Sequence, residues 1–405
     1  MRLEDLRATP NALAPHYAEF RVAERLLLTG HSHQAWPDVG LAAQRQAWLD
    51  AAQLVDDKWD RAFDKVERVA RGFARLLDDR DGHATIGGNT HELVVRWLSA
   101  LPLARRPRLV STDGEFHTLR RQLDRLAEEG LEVVRVPARP VATLAERLAA
   151  EVDARTACAL VSSVLFESAL IVPDLRAVAQ ACAREGAELL VDAYHSLGAV
   201  PFSLAGERGE GLERAYVVGG GYKYLQLGEG NCFLRSPADC ALRPVITGWY
   251  SEFGELAAAR VAGPEGATEV RYGKGGARFA GATFDPTSQY RAAAVLGFFD
   301  QMGLDPPFLR RVSQHQVGLL IEDFRALDLD PEVVALADDV PLAARGGFLA
   351  LRAPRARELQ AALRRRGVHT DHRADILRFG PAPYLADEQL RGAVALLGEA
   401  VRAGE

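Results

Sequence analysis

Apolar positions recur at helical spacing over roughly residues 40–103: Leu41, Ala42, Trp48, Leu49, Ala52 and Leu54, then Val66, Val69, Phe73 and Leu76. Beyond that stretch the pattern changes. Short β-branched runs at 108–111, 131–136, 157–162 and 188–192 predict strands, and the amphipathic stretches 117–128, 141–152 and 175–185 predict helices. Two further short strands, 215–218 and 231–235, follow without long helices between them. Alternation of this kind marks βαβ units around a buried, mostly parallel sheet.

The passage 254–281 shifts to Gly, Ala and charge and reads as a loop-rich edge. After it, two long helices are predicted over 288–302 and 307–327. A strand at 348–351, a helix at 355–366, a strand at 376–379 and a closing helix at 387–401 complete a small α+β unit. The expected organisation is an N-terminal segment, 1–39, packing near the small domain and active site, a large domain, 40–280, and a small domain, 281–405.

At 405 residues the chain exceeds what one hydrophobic core usually holds, which favours two domains. With 48% hydrophobic and 26% charged residues, disordered and collagen-like readings are excluded. Lys+Arg 49 against Asp+Glu 55 leaves a net charge of −6, which offers no footprint for nucleic acid or an anionic membrane. No apolar run approaches the ~18 residues of a membrane span, and the charged amino terminus has no apolar core of a signal peptide; a cytoplasmic location is expected. The four cysteines, 158, 182, 232 and 240, are scattered and form neither a CxxC pair nor a metal-ligand spacing, so no metal is expected.

Two segments carry the chemistry. In "ELLVDAYHSLGAVPFSL", Asp192 ends a buried strand, where a carboxylate needs a cationic partner. In "VVGGGYKYLQLGEG", Lys223 follows a strand in a Gly-rich turn between Tyr222 and Tyr224. A lysine partly desolvated there has a lowered pKa and can form a Schiff base. The segment lacks the GxxxxGK[ST] spacing of a nucleotide P-loop. An aspartate for a protonated pyridine nitrogen and a lysine for an aldehyde are what pyridoxal 5′-phosphate (PLP) chemistry requires.

The ordered pair resembles the class V branch of fold-type I PLP enzymes, and within it kynureninase. Asp192, His195 and Gly198 match an Asp-x-x-His-x-x-Gly strand end, and Tyr222, Lys223, Tyr224 and Leu225 match the Schiff-base motif. In "LRFGPAPY", Arg378 falls on the arginine that clamps a substrate α-carboxylate. The resemblance implies an α/β fold with a mixed, mostly parallel seven-stranded sheet between helices and a small α+β C-terminal domain.

It also implies cofactor contacts. Asn89 and Thr90, in "IGGNTHEL", would hold the phosphate at a helix N-terminus. Phe116 would stack on the pyridine, with His195 beside it, while Trp249 and Thr283 would reach the site from the second subunit of a homodimer. Lys223, Asp192 and Tyr222 would carry the catalysis, Tyr222 as a proton relay. Two departures concern the substrate. Leu119 stands where the family has an aspartate, and "TGHSHQAWP" replaces an early Gly-Asn-Ser-Leu-Gly motif, with His31 and His33 as candidate pocket residues. The implied activity is hydrolytic Cβ–Cγ cleavage of kynurenine or 3-hydroxykynurenine. The alternative is a class V C–S lyase, desulfurase or aminotransferase acting on another amino acid.

Overall fold

The computed structural model describes residues 1–79, 82–205, 211–253 and 270–405. Most of the loop-rich passage expected at 254–281 therefore lies outside the described residues. Seven strands form the main sheet: β1 (His83–Gly87), β2 (Arg108–Thr112), β3 (Glu132–Val136), β4 (Thr156–Ser162), β5 (Glu188–Asp192), β6 (Tyr216–Gly220) and β7 (Cys232–Ser236). Their spatial order is β1-β7-β6-β5-β4-β2-β3. β7 is antiparallel to both neighbours and every other pairing is parallel, which makes β1 parallel to the rest.

Strands in such a sheet are buried on both faces and read as continuous apolar runs. β4 (TACALVS) and β6 (YVVGG) do so and are buried throughout. The flanking helices are α1 (Val39–Leu54), α2 (Lys58–Leu76), α3 (Thr90–Ser99), α4 (His117–Glu128), α5 (Leu144–Ala150), α6 (Leu175–Glu185) and α7 (Thr287–Met302). Among the β-branched runs, 188–192 has the predicted bounds, while the strands after it begin one residue later than expected. β1 falls inside the stretch read as helical. It is a half-buried strand with His83 and Thr85 in it, and only its pairing with β7 defines it.

The apolar spacing of α1 is also a surprise. Leu41, Trp48 and Leu49 point outward, whereas Gly40, Ala47 and Asp50 are buried. Asp50 is held there by Arg61, Gln46 and the Tyr290 hydroxyl.

Toward the carboxyl terminus, α8 (Pro306–Ala326), α9 (Ala356–Arg365) and α10 (Asp387–Arg402) accompany a second sheet. It contains β8 (Leu349–Arg352), β9 (Asp371–Arg373) and β10 (Ile376–Phe379) in the antiparallel order β9-β10-β8, continued by Ala335–Leu336. The amino-terminal segment joins this part. Leu26–Leu27 pairs with Val368–His369, and Gly30 N–H donates to Gly380 O at 2.7 Å. The same loop reaches the main sheet, because Gln34 Nε2 donates to the Lys223 carbonyl at 2.9 Å.

Candidate active site

Parallel strands deliver whatever follows their carboxyl ends to one edge of the sheet, and ligand sites in open α/β folds form there. Here β1 leads into Gly88, Asn89 and Thr90, β2 into Glu115 and Phe116, β4 ends on Ser162, β5 on Asp192 with His195 beyond, and β6 leads into Tyr222 and Lys223. Except for Glu115, these residues line one cavity of about 500 Å³, together with Tyr194, Phe166 and Cys232.

Lys223 is 6% exposed, and its Nζ lies 2.7 Å from His195 Nε2. It faces the rings of Tyr194, Phe116 and Tyr222 at 4.6, 5.5 and 5.8 Å. Burial pushes its pKa down to about 7, assisted by Arg378 and Arg373 and opposed by Asp192. The same burial, with the Lys223 charge, holds His195 neutral, well below the ordinary imidazole range. The two recognised motifs touch: Gly198 has φ +86°, and a Cβ there would sit 2.8 Å from Tyr224 Cβ. That close approach is why glycine ends the first motif.

Asp192 is 8% exposed, and its Oδ1 accepts from Tyr194 N–H at 2.8 Å. Desolvation raises its pKa, opposed by the Tyr194 hydrogen bond and by the charge of Lys223. A cation brought into the cavity would lower it. Tyr222 is pushed up to about 12 by burial and stays a neutral phenol.

The start of α3 faces the cavity. Asn89 caps it, Oδ1 accepting from Glu92 N–H at 2.9 Å. Thr90 Oγ1 is buried without a hydrogen-bond partner, although the Cys232 thiol lies close enough to be influenced by it. A buried hydroxyl left open beside helix amides is what a phosphate would satisfy.

Several expected residues sit elsewhere. Arg378 is 2% exposed and does not present a free fork. Its Nε and Nη2 donate to Asp371, at 2.8 and 2.5 Å, and Nη1 donates to the Phe166 carbonyl at 2.6 Å. A buried guanidinium requires a counter-charge, and Asp371 supplies it. His31 shares Asp371 with Arg378. It is fully enclosed, with Nε2 2.7 Å from Asp371 Oδ1 and its ring against Phe348, and burial with Arg378 holds it down to about 4. His33 does stand near the cavity: its ring stacks on Tyr222 at 5.1 Å, and Nδ1 is 3.0 Å from Glu229 Oε1.

Trp249 is 47% exposed and does not line the Lys223 cavity. Thr283 lines a neighbouring, wider cavity of about 930 Å³ that shares Gly88, Glu229 and Gly230 with it. Glu115 and Asp371 were not foreseen. Asp371 stands directly opposite Arg378 in a short antiparallel pair that only the folded structure reveals.

Residues 309–397 match the family model of the kynureninase C-terminal domain. The chain is 27% identical over 394 residues to a kynureninase of Burkholderia pseudomallei, covering 92% of this chain and 88% of that one. It is 25% identical over 356 residues to an uncharacterized aminotransferase, YcbU, of Bacillus subtilis, covering 86% and 87%. Among solved structures, the cystine C–S lyase C-DES, in complex with its product cysteine persulfide, superposes with a TM-score of 0.78 at 17% identity over 93% of this chain and 98% of that one. The chain therefore has the fold of the class V, fold-type I enzymes, and its sequence is kynureninase-like.

Proposed function

We propose that the protein is a PLP-dependent enzyme acting on an amino acid, with hydrolytic Cβ–Cγ cleavage of kynurenine or 3-hydroxykynurenine to an anthranilate and alanine as its reaction. The observation that carries the PLP reading is the Lys223 amine, buried, with a pKa near 7, in one cavity with Asp192 and the unsatisfied Thr90 hydroxyl. Those residues fit the cofactor. Lys223 Nζ would hold its aldehyde carbon, Asp192 its pyridine nitrogen, Asn89 and Thr90 its phosphate, and Phe116 and His195 would flank the ring. The C-DES structures include one described with glycine covalently linked to the PLP cofactor.

Bound there, PLP supplies an aldehyde for the substrate amine and a conjugated ring that accepts electron density from the substrate α-carbon. The chain does the rest. Lys223, largely uncharged above pH 7, takes the α-proton and can return it. Asp192 keeps a proton on the ring nitrogen by opposing its positive charge. Tyr222, a neutral phenol beside Lys223, relays a proton while water adds to the γ-carbonyl. Arg378 receives the α-carboxylate by exchanging it for Asp371, and His33 faces the substrate side chain from the Tyr222 side.

A second reading, a C–S lyase, has specific support in the likeness to C-DES. A persulfide-forming desulfurase is disfavoured by the thiols. Cys240 is buried with its Sγ 3.2 Å from the Tyr216 hydroxyl, and Cys232, though in the cavity wall, is held protonated by burial. Purified enzyme loaded with PLP and offered kynurenine, 3-hydroxykynurenine and cystine separates the readings. Anthranilate or its hydroxy form with alanine supports the first; pyruvate and sulfur products from cystine alone would replace it with the second.

A further inference from the structure

Glu115 lies in the turn between β2 and α4, next to Phe116, and is 1% exposed. Its Oε1 accepts from Thr112 Oγ1 at 2.8 Å and from Ser162 N–H at 3.1 Å, and Oε2 lies 2.6 Å from Ser162 Oγ. All three partners are neutral. Ser162 stands opposite Asp192 in the β4–β5 register and lines the Lys223 cavity. One serine thus separates two buried carboxylates.

Two carboxylates so placed do not both ionise cheaply, and their surroundings decide which keeps its proton. Asp192 faces the cavity, accepts a backbone N–H and feels the charge of Lys223. Glu115 is enclosed. Burial pushes it up to about 7, the hydrogen bonds from Ser162 and Thr112 only partly oppose this, and the charge on Asp192 adds to it. The hydroxyl rotor of Ser162 then follows from the charge on Glu115. An ionised Glu115 draws the Ser162 proton toward itself, whereas a protonated one donates to Ser162 Oγ and frees the Ser162 proton.

We propose that Glu115 is a positioning residue held as the neutral acid, which turns the Ser162 hydroxyl so that the cavity meets a hydrogen-bond donor beside the charged Asp192. The assignment rests on the PLP reading only for what meets that donor.

The test uses the full-length protein, first without added cofactor. At pH 6 the infrared carbonyl band of a protonated carboxylic acid should be present in wild type, fade as pH rises through about 7, and be missing from Glu115→Gln. The sign for stability is fixed by the same raised pKa. The folded state binds more protons than the unfolded one between 4.5 and about 7, so the wild type should lose urea resistance relative to Glu115→Gln as pH rises through that range. An unchanged band or parallel stability curves would overturn the neutral-acid assignment. Ser162→Ala removes the hydroxyl that helps Glu115 ionise, so it should move the infrared transition to higher pH; an unmoved transition would overturn the link to Ser162, whether or not Glu115→Gln folds. With PLP added, the pH midpoint of the visible absorption should differ between wild type and Glu115→Gln, and identical midpoints would overturn the link to the cavity. If neither protein takes up PLP, the functional reading fails, while the infrared result still decides the protonation of Glu115.

Discussion

A lysine whose charge is unwelcome in its surroundings reacts as an amine at neutral pH, and Lys223 is in that position. Attachment of PLP, followed by its absorption, should accelerate as pH rises to about 7 and then level off. A rate that kept climbing toward the ordinary lysine range, 10.5, would show an unperturbed amine. Lys223→Ala should bind PLP without that absorption change. Asp192→Asn should fold and bind PLP but lose about 10²–10³ in kcat, the usual cost of removing a preorganised charge partner; a full rate would remove Asp192 from the mechanism. These two residues stood out in the sequence because the strand-end Asp-x-x-His-x-x-Gly and the Gly-Tyr-Lys-Tyr-Leu turn follow one another in order, although each alone is a weak signal. Glu115 did not. In "DGEFH" it looks like a solvated turn residue, and only the folded ends of β2 and β4 enclose it.

Elements position these groups, and α3 shows how. Asn89 caps it and thereby aligns its first free amides, while the Thr90 side chain is left over. Thr90→Val keeps the shape and removes the hydroxyl. PLP affinity should fall about tenfold, equivalent to ~1.4 kcal/mol, with the melting temperature of the cofactor-free protein unchanged. Unaltered affinity with lowered stability would make Thr90 a structural residue only. The start of α3 was readable from "GGNTHEL", because N-caps have a local signature. β1, which delivers it, was not: an edge strand of mixed polarity carries no period of its own and is defined by its partner β7. Nor could local pattern reveal that the Arg378 fork is already engaged, since β9 is three residues long and gains its meaning from pairing with β10.

At the scale of the molecule, several large apolar side chains are exposed, and some of them cluster. Trp48 is 78% and Val245 83% exposed, and Ile246, Trp249 and Phe253 are exposed as well. Trp249, Tyr250 and Phe253 pack on one another, and Phe63 joins them; Tyr250 also meets Phe284, next to Thr283. Large exposed apolar side chains in a group favour association. The spacing of Leu41, Trp48 and Leu49 did mark a helix, but one whose inward residues are Gly40, Ala47 and Asp50 and whose large apolar side chains face outward. A two-fold dimer would cover that surface and bring Trp249 and Thr283 to the neighbour's cavity, and light scattering should find two chains per particle. Mixed dimers test the sharing itself. Lys223→Ala and Trp249→Ala should each be impaired alone, through different parts of the site. If Trp249 serves the partner's Lys223, a mixed dimer contains one site with both residues intact. Random exchange of equal amounts should then restore about a quarter of wild-type activity, since half the dimers are mixed and each has one good site. If Trp249 serves its own chain, every site in the mixture lacks one of the two residues. Activity that never exceeds the average of the two variants would refute the shared site and leave the Lys223 chemistry untouched.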